Sequence, residues 1–280
     1  VFNVVNGLGP EAGRALALHP DVIKLSFTGS TAVGKLLLGY AGESNMKRVA
    51  LETGGKSPNL IFADADLDKA ADMAAFGIFF NQGEVCSANS RMLVHADVAD
   101  EMVARMETRA RAIVPGDPLD PASTLGAMVD RAHADSVMSF VETGKREARL
   151  VCGGERVSLN GSDAFVQPTI FVGAGQEARI VREEIFGPVL SIQTFRDEEE
   201  AVTMANASVY GLAASVWTRD LSRALSLSDR LNAGTVSVNT VDALSAMTPF
   251  GGIKQSGFGR DLSIHSFDKY SALKTVWIKY

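Results

Sequence analysis

The sequence contains little cysteine and histidine and has no long apolar segment. Its 280 residues include two cysteines, Cys86 and Cys152, and four scattered histidines. Two cysteines cannot build a disulfide framework, and histidines without ligand spacing give no indication of a metal site. The longest strongly apolar run, MAAFGIFF, falls far short of the roughly 20 residues that a membrane helix needs. We therefore expect no disulfide framework, no metal ion and no membrane partner.

The chain also carries little net charge. The formal net charge is −6, and no block of basic residues alternates with aromatic residues. The electrostatic footprint of a nucleic-acid-binding protein is therefore missing, and small-molecule ligands are favoured. The 46% hydrophobic and 21% charged residues match a soluble globular protein of one or two domains. Because no signal-peptide pattern opens the chain, we predict a cytoplasmic protein.

Strand-like and helix-like segments alternate along the chain, which predicts an α/β fold with a parallel sheet. Hydrophobic spacing predicts strands within residues 22–30, 46–53, 91–95, 189–195, 212–218 and 234–240. The same criterion predicts helices within residues 31–44, 64–82, 97–112 and 220–231. A half-buried strand is predicted at the end of the chain, in LKTVWIKY.

The stretch FTGSTAVG, Phe27 to Gly34, carries a strand into a turn and then into a helix. The amides at the start of that helix and the hydroxyl of Ser30 suit a phosphate group. Taken alone, such a Gly-Ser-Thr turn is more often an ordinary helix cap. Both interpretations remain open from these residues.

A carboxylate ends the next strand, in LETGGKSPN, where Glu52 precedes a Gly-Gly turn. Ligands of parallel α/β sheets bind at the carboxyl ends of the strands. Partial burial would raise the pKa of Glu52 towards neutrality and make it a general base. The alternative is a solvated glutamate at a turn.

A cysteine stands among small polar residues in FNQGEVCSANSR, Phe80 to Arg91. Gly83 and Ser87 leave room for a substrate near the sulfur of Cys86, and nearby backbone amides would stabilise a thiolate or an oxyanion. Most isolated cysteines are small buried hydrophobic residues, and that interpretation is applied to Cys152. The polar, glycine-rich setting favours a reactive Cys86.

The stretch REEIFGPVL, Arg182 to Leu190, combines two carboxylates, an aromatic residue and a Gly-Pro turn before a strand. A carboxylate here suits the two hydroxyls of a ribose, and Phe186 suits packing against a flat ring. The alternative is a charged turn that caps an edge strand.

These four stretches, in this order and followed by PFGGIKQSGFGRD, resemble the aldehyde dehydrogenase superfamily over essentially the whole chain. The resemblance implies that Cys86 is the nucleophile and Glu52 the general base. It implies that the residues that bind the cofactor are Gly29, Ser30, Gly34, Glu184 and Phe186. Substrate-tunnel positions are then expected at Phe80, Val85, Ser87, Asp242 and Phe250.

The chemistry implied by this resemblance uses residues that were already singled out. The Cys86 thiolate adds to an aldehyde, hydride passes to a nicotinamide cofactor, and a thioester remains. Glu52 then activates the water that releases a carboxylic acid. Several stretches, among them NQGEVCSANSR and TPFGGIKQSGFGRD, resemble the bacterial gamma-glutamyl-gamma-aminobutyraldehyde dehydrogenase branch of polyamine and arginine breakdown. Asp242 is placed to face the far end of such a substrate, although acidic residues occur there in relatives with simple aldehydes.

The resemblance also implies a domain organisation. Residues 1–53 match the end of a Rossmann-like dinucleotide-binding domain, residues 54–254 a catalytic domain, and residues 255–280 a return segment with an oligomerisation strand. NAD is the expected cofactor, with NADP left open, and a homodimer or homotetramer is expected of the complete protein. The chain resembles the carboxyl-terminal part of these enzymes, whose oxyanion-hole asparagine lies in an earlier segment. We therefore expect the 280 residues alone to oxidise aldehydes slowly.

Two other classes of function remain possible on the residues alone. A cysteine hydrolase or acyltransferase would use Cys86 and Glu52 without redox chemistry, but it would not need the nucleotide-site stretches GSTAVG and EEIFGP. A non-catalytic fragment that serves as a structural or assembly module is the second alternative.

Overall fold

The computed structural model describes residues 1–280. The strands are β1 (Lys24–Thr28), β2 (Arg48–Glu52), β3 (Pro58–Ile61), β4 (Arg91–His95), β5 (Arg149–Cys152), β6 (Arg156–Leu159), β7 (Ser162–Val166), β8 (Thr169–Val172), β9 (Val189–Phe195), β10 (Ala213–Trp217), β11 (Thr235–Val238) and β12 (Gly257–Phe258). The α-helices are α1 (Arg14–Leu18), α2 (Thr31–Glu43), α3 (Leu67–Phe79), α4 (Ala99–Ala112), α5 (Arg131–Glu147), α6 (Arg179–Arg182), α7 (Glu198–Asn206) and α8 (Leu221–Arg230).

The chain divides into two compact units. The first contains residues 1–54 and 244–280, and the second contains residues 55–243. This division follows from backbone contacts. The assignment of cofactor, catalytic and oligomerisation segments stays a prediction.

The first unit is built on a three-stranded sheet in the order β1, β2, β12. Strands β1 and β2 are parallel, with Thr28 opposite Glu52, and β12 runs antiparallel to β2. Helix α2 connects the two parallel strands and starts at Ser30, whose Oγ accepts a hydrogen bond from the Val33 amide at 3.3 Å. Ser30 therefore lies just beyond the carboxyl end of β1, and Glu52 is the last residue of β2, as predicted from the sequence.

The second unit contains a seven-stranded sheet in the order β11, β10, β3, β4, β9, β8, β5. All its neighbouring strands are parallel except β5, which is antiparallel to β8. Helix α3 lies between β3 and β4 in the chain, and its N-cap Asp66 accepts a hydrogen bond from the Lys69 amide at 3.2 Å. The turn after α3, Phe80–Gly83, leads to Cys86, so the position of this helix determines where the Cys86 segment begins.

The core of the second unit consists of three clusters of buried apolar side chains. The first cluster joins α3 and α4 to the sheet and includes Ile78, Met102 and Met106, none of them more than 1% exposed. Cys152 belongs to this cluster and is 5% exposed, which confirms its expected role as a small buried hydrophobic residue. Helix α3, which precedes Cys86, is therefore held by buried apolar side chains packed against the sheet.

Two predictions about the fold need correction. Residues 271–280 form no helix or strand and are exposed, so the predicted terminal strand is absent in this chain. A strand needs a neighbouring strand for its backbone hydrogen bonds, and none lies beside this segment. The sequence analysis also assigned no element to residues 113–188, where the structure has α5, α6 and four strands. None of the helices has the length and apolar character required to cross a membrane.

Candidate active site

The segment that leads to Cys86 has an unusual backbone. Asn81, Gln82 and Gly83 have consecutive positive φ angles of 48°, 57° and 71°. Residues other than glycine pay a cost in this left-handed region, and such costs concentrate at functional sites. A Cβ on Gly83 would stand 2.3 Å from the Gly187 carbonyl oxygen. The position therefore requires glycine for both its backbone angle and its space.

Side-chain hydrogen bonds fix this segment to residues 126–129. The Gln82 amide donates to the Ala127 carbonyl at 3.2 Å, and its oxygen accepts from the Gly126 amide at 3.3 Å. One oxygen of Glu84 accepts from the Val129 amide at 3.0 Å. These bonds offset the cost of the left-handed turn and hold the residues just before Cys86.

Cys86 itself is half-buried and forms no disulfide with Cys152. The backbone of Gly55 approaches it so closely that a Cβ on Gly55 would stand 2.5 Å from the Cys86 carbonyl oxygen. The next residue, Ser87, is 5% exposed, and its Oγ donates to Oδ1 of Asp242 at 2.7 Å. The structure thus brings together two predicted substrate residues, Ser87 and Asp242, beside the predicted nucleophile.

Glu52 is a buried carboxyl group in the first unit. It is 7% exposed, and its Oε1 has no hydrogen-bond partner. Burial, together with a smaller effect of the negative charge of Asp261, raises the pKa of Glu52 to about 7 against opposing effects that include Arg260. Since its protonated and ionised forms are both populated near neutral pH, Glu52 has the acidity of a general base.

The turn around Glu52 is fixed by the segment that follows Phe250. The backbones of Phe250 and Asp261 exchange two hydrogen bonds, at 2.9 and 2.7 Å, and Lys269 pairs with the Asp261 carboxylate. A Cβ on Gly251 would stand 3.3 Å from Oε2 of Glu52. The predicted tunnel residue Phe250 therefore belongs to the framework that packs Glu52.

The start of α2 has the features of a phosphate site and of a helix cap. Ser30 is exposed and caps the helix through the Val33 amide. The glycines on either side have packing reasons of their own: a Cβ on Gly29 would stand 2.5 Å from the Phe27 ring, and one on Gly34 would stand 3.1 Å from the Thr53 methyl group. The helix N-terminus is available to an anion, while the need for glycine follows from packing alone.

Glu184 is a half-buried carboxylate in the second unit. Its Oε1 accepts a hydrogen bond from the Gly55 amide at 3.2 Å. Burial raises the pKa of Glu184, and the Gly55 amide and the charge of Lys56 oppose that rise. A carboxylate has acceptor sites for several hydroxyl groups, so the remaining lone pairs of Glu184 suit a ribose diol.

Phe186 has a φ of 55°, which is strained for a bulky residue, and its ring is 38% exposed. The imidazole Nε2 of His133 lies 2.7 Å from the Phe186 carbonyl oxygen, and the two rings meet edge to face at 5.8 Å. His133 also lies 3.7 Å from the Glu84 carboxylate. One histidine therefore contacts both the predicted cofactor stretch and the segment before Cys86.

Phe80 and Val85 occupy the ends of the same turn. Phe80 is 57% exposed and stacks against Phe76 with ring centroids 4.9 Å apart. Val85 is half-buried and packs against the first apolar cluster. Their contact with a substrate stays a prediction.

Several residues of this region escaped the sequence analysis. Lys56 is 2% exposed, and its Nζ has no partner; burial and the charge of Arg91 lower its pKa to about 7. Asp261 and His133 were also missed as partners of Glu52 and Phe186. Lys56 and Asp261 stood in the quoted motifs GGKSPN and GFGRD, but burial at these positions cannot be recognised from the residues alone.

The geometry defines a cysteine nucleophile candidate, a carboxyl base candidate and two nucleotide-binding features, and the comparisons with known proteins agree with it. Residues 1–276 match the sequence profile of the aldehyde dehydrogenase family. The chain therefore belongs to the aldehyde dehydrogenase family.

Individual relatives are similar over nearly the whole chain. The NADP/NAD-dependent aldehyde dehydrogenase PuuC of Escherichia coli is 52% identical over 279 residues, which are 99% of this chain and 56% of that protein. Two of the similar solved structures are each 52% identical to this chain. The indole-3-acetaldehyde dehydrogenase AldA of P. syringae, a complex with NAD+, has a TM-score of 0.96 over 98% of this chain and 56% of that chain. The gamma-glutamyl-gamma-aminobutyraldehyde dehydrogenase of Burkholderia cenocepacia has a TM-score of 0.92 over 95% and 54%. The chain thus spans about half the length of the relatives it matches.

Proposed function

We propose that the complete protein is an NAD(P)-dependent aldehyde dehydrogenase that oxidises an aldehyde to a carboxylic acid. The observation that carries this proposal is the buried Glu52, whose pKa of about 7 and unpartnered Oε1 suit the removal of a proton from water. The family of the chain supports the same reaction. Because the chain spans about half the length of its relatives, the proposal concerns the whole protein.

Cys86 is the nucleophile in this proposal. Its sulfur forms a bond to the aldehyde carbon, and the π electrons of the carbonyl group move to the oxygen. The ordered turn before Cys86 supports this role, since a reacting group held in one position avoids the entropy cost of finding it. Fixed backbone N–H groups in such a turn stabilise the oxygen as its charge develops.

Each unit contains residues that suit one part of a dinucleotide. The N-terminus of α2, with Ser30, would hold phosphate, and the Glu184 carboxylate would accept hydrogen bonds from ribose hydroxyls. A nicotinamide cofactor held by these residues would supply the acceptor for the hydride that leaves the substrate carbon. The carbonyl double bond then re-forms, and the substrate remains attached to Cys86 as a thioester. The relative from P. syringae in complex with NAD+ supports this cofactor assignment.

Glu52 completes the reaction. Its ionised carboxylate takes a proton from a water molecule as the water oxygen attacks the thioester carbon. The carbon–sulfur bond breaks, the electron pair returns to the Cys86 sulfur, and the carboxylic acid leaves. The negative charge of Asp261 makes Glu52 more basic and thereby supports this step.

Replacement of the two cysteines tests this function. Cys86→Ala in the complete protein should abolish NAD(P)H formation from aldehydes, whereas Cys152→Ala, a change in the apolar core, should affect stability and leave the active-site chemistry intact. Absorbance of the reduced cofactor measures turnover. Equal losses in both variants would contradict the nucleophile assignment, and ester hydrolysis without aldehyde oxidation would favour the cysteine hydrolase.

For the substrate, we propose an amino- or guanidino-butyraldehyde. Support comes from the name of the Burkholderia cenocepacia relative and from the sequence motifs of that branch. The P. syringae relative, named for indole-3-acetaldehyde, is equally identical, so identity alone does not separate the two classes. We expect the kcat/KM for a γ-aminobutyraldehyde derivative to exceed that for acetaldehyde by about tenfold or more, which one substrate contact can supply. A preference for indole-3-acetaldehyde would overturn this choice and leave the dehydrogenase activity intact.

We further propose that the complete protein forms a homodimer or homotetramer. Apolar side chains near the chain end, including Val276, Trp277 and Ile278, are at least 68% exposed. Such a segment suits pairing with a second chain. Light scattering on the complete protein would measure the mass, and a strictly monomeric species at micromolar concentration would contradict the proposal.

A further inference from the structure

The residue after the nucleophile makes a partly buried hydrogen bond that the reaction described above does not use. Ser87 is 5% exposed, and its hydroxyl donates to Oδ1 of Asp242 at 2.7 Å. The two residues are 155 positions apart in the chain. The bond therefore joins the Cys86 segment to the residues that follow β11.

This bond lies on one side of Cys86, and a separate set of bonds lies on the other. Before Cys86, Gln82 and Glu84 bind the backbone of residues 126–129. After it, Ser87 binds Asp242. The left-handed turn at Asn81, Gln82 and Gly83 lies on the first of these sides, and such a turn persists only when its surroundings hold it. Side-chain hydrogen bonds thus hold the chain on both sides of Cys86, in addition to backbone bonds such as that from the Asn89 amide to the Gly77 carbonyl.

The residue before Asp242 is packed in the core of the second unit. The preceding Val241 is 3% exposed, and its side chain lies so close to α3 that a Cβ on Gly77 would stand 3.2 Å from it. Asp242 has a φ of 47°, a left-handed conformation that aspartate tolerates better than most residues. The carboxylate that accepts the Ser87 hydroxyl is therefore anchored by the core of the second unit.

We propose that Asp242 is a positioning residue that acts through Ser87: their hydrogen bond holds the backbone on the carboxyl side of Cys86 and keeps its sulfur reactive. This inference rests on the proposed role of Cys86 as nucleophile. It differs from a substrate-binding role for Asp242, because the effect of positioning is present in the absence of any substrate.

Positioning must also be distinguished from a direct effect of the Asp242 charge on the thiol. Such a charge effect requires the Asp242 carboxylate and does not need Ser87. A positioning effect requires the hydrogen bond, so an amide at position 242, which still accepts from a hydroxyl, preserves it. Hydrogen bonds of this kind change an equilibrium or a rate by about tenfold when they are removed.

Carbamidomethylation of Cys86 by iodoacetamide tests the proposal, with peptide mass spectrometry to distinguish Cys86 from Cys152. We expect Ser87→Ala and Asp242→Ala each to slow the reaction about tenfold, since a loosened backbone stabilises the thiolate less well. The double variant should be no slower than either single variant, because both remove the same bond. Asp242→Asn should stay within about twofold of the unchanged protein.

The matched control is Asp229→Asn, which removes a carboxylate from an exposed position on α8. Thermal unfolding of each variant separates a loss of reactivity from a loss of folding, and if Asp242→Ala does not fold, Ser87→Ala carries the same test. An Asp242→Asn variant as slow as Asp242→Ala, additive losses in the double variant, or an unchanged Ser87→Ala variant would each overturn the proposal.

Turnover of the complete protein gives an independent second measurement. Positioning predicts a lower kcat for every aldehyde, whereas a substrate contact predicts a higher KM for cationic aldehydes alone. If the unchanged complete protein oxidises no aldehyde, the proposed function fails, while the alkylation rates still decide whether Asp242 positions Cys86.

Discussion

Replacement of Glu52 by glutamine should change the pH dependence of stability. Burial raises the pKa of Glu52 from 4.5 to about 7 in the folded chain, whereas the unfolded chain has the ordinary value. Between these two pH values the folded state retains a proton that the unfolded state releases. Stability due to this group is therefore full below pH 4.5 and is lost as the pH rises towards 7. Glutamine carries no proton to lose and shows no such decline.

The size of this effect follows from the shift. A displacement of this extent corresponds to roughly 3 kcal/mol, and we expect about 2 kcal/mol because water retains some access to the carboxyl group. The free energy of unfolding of Glu52→Gln, relative to the unchanged chain, should thus rise by about 2 kcal/mol between acid and neutral pH. Urea denaturation at a series of pH values measures this difference.

The matched control is Glu43→Gln, which neutralises an exposed carboxylate at the end of α2 in the same unit. This variant controls for the loss of one negative charge from the same unit. A flat profile for Glu52→Gln would contradict the burial argument. A decline in its relative stability as the pH rises would show that Glu52 is stabilised as an anion, and its assignment as a base near neutrality would then be wrong.

Two further substitutions test the turn and the ribose site. Gly83→Ala should lower the free energy of unfolding by about 2–4 kcal/mol, because it adds a clash with the Gly187 carbonyl to the cost of a left-handed alanine. The control is Gly161→Ala, at a position with a φ of 79° and no atom nearby, which should lower it by only about 1–2 kcal/mol. Equal losses in the two variants would count against the clash. Glu184→Gln in the complete protein should weaken NAD binding about tenfold, measured by calorimetry, since it removes a charged acceptor. A protein with Glu183→Gln, a change at the exposed neighbouring residue, should bind NAD normally. Equal NAD affinities for the two variants would show that Glu184 is not part of the site.

Elements with strong hydrophobic spacing and clear caps could be predicted from the sequence. Helix α2 begins after Ser30, and α3 begins after Asp66, where capping residues precede regular apolar positions. The predicted strands β1, β2 and β4 beside these helices are also present, because apolar runs between turn residues are typical of buried strands. Strand β3, Pro58–Ile61, was not predicted.

The helices and strands within residues 113–188 were not predicted, although some of them carry recognisable signals. Strands β6 and β7 form an antiparallel hairpin around Asn160 and Gly161, both with positive φ, and an Asn-Gly pair between short strands is a strong hairpin signal that was overlooked. Helix α5 also had a visible signal, with Asp130 as its N-cap and Val137 and Val141 on its buried face. The half-buried terminal strand was predicted from alternation, which says nothing about whether a partner strand is present in this chain.

The candidate site was predictable to the extent that its residues stand in recognisable motifs. Cys86 and Glu52 were singled out from their neighbours in sequence. The Ser87–Asp242 bond and the contacts of His133 join positions far apart in the chain, so only the folded structure reveals them. The elevated pKa of Glu52 likewise depends on burial and on Asp261, more than 200 residues away.

The central claim is that Cys86 carries the substrate as a thioester that Glu52 helps to hydrolyse. It is tested most directly by mixing the complete Glu52→Gln protein with aldehyde and NAD, stopping the reaction in acid and mapping the modified peptide by mass spectrometry. The account predicts an acyl group on Cys86 that accumulates in this variant and not in the unchanged protein. An acyl group on another residue, or no accumulation in a variant that still forms reduced cofactor, would contradict it.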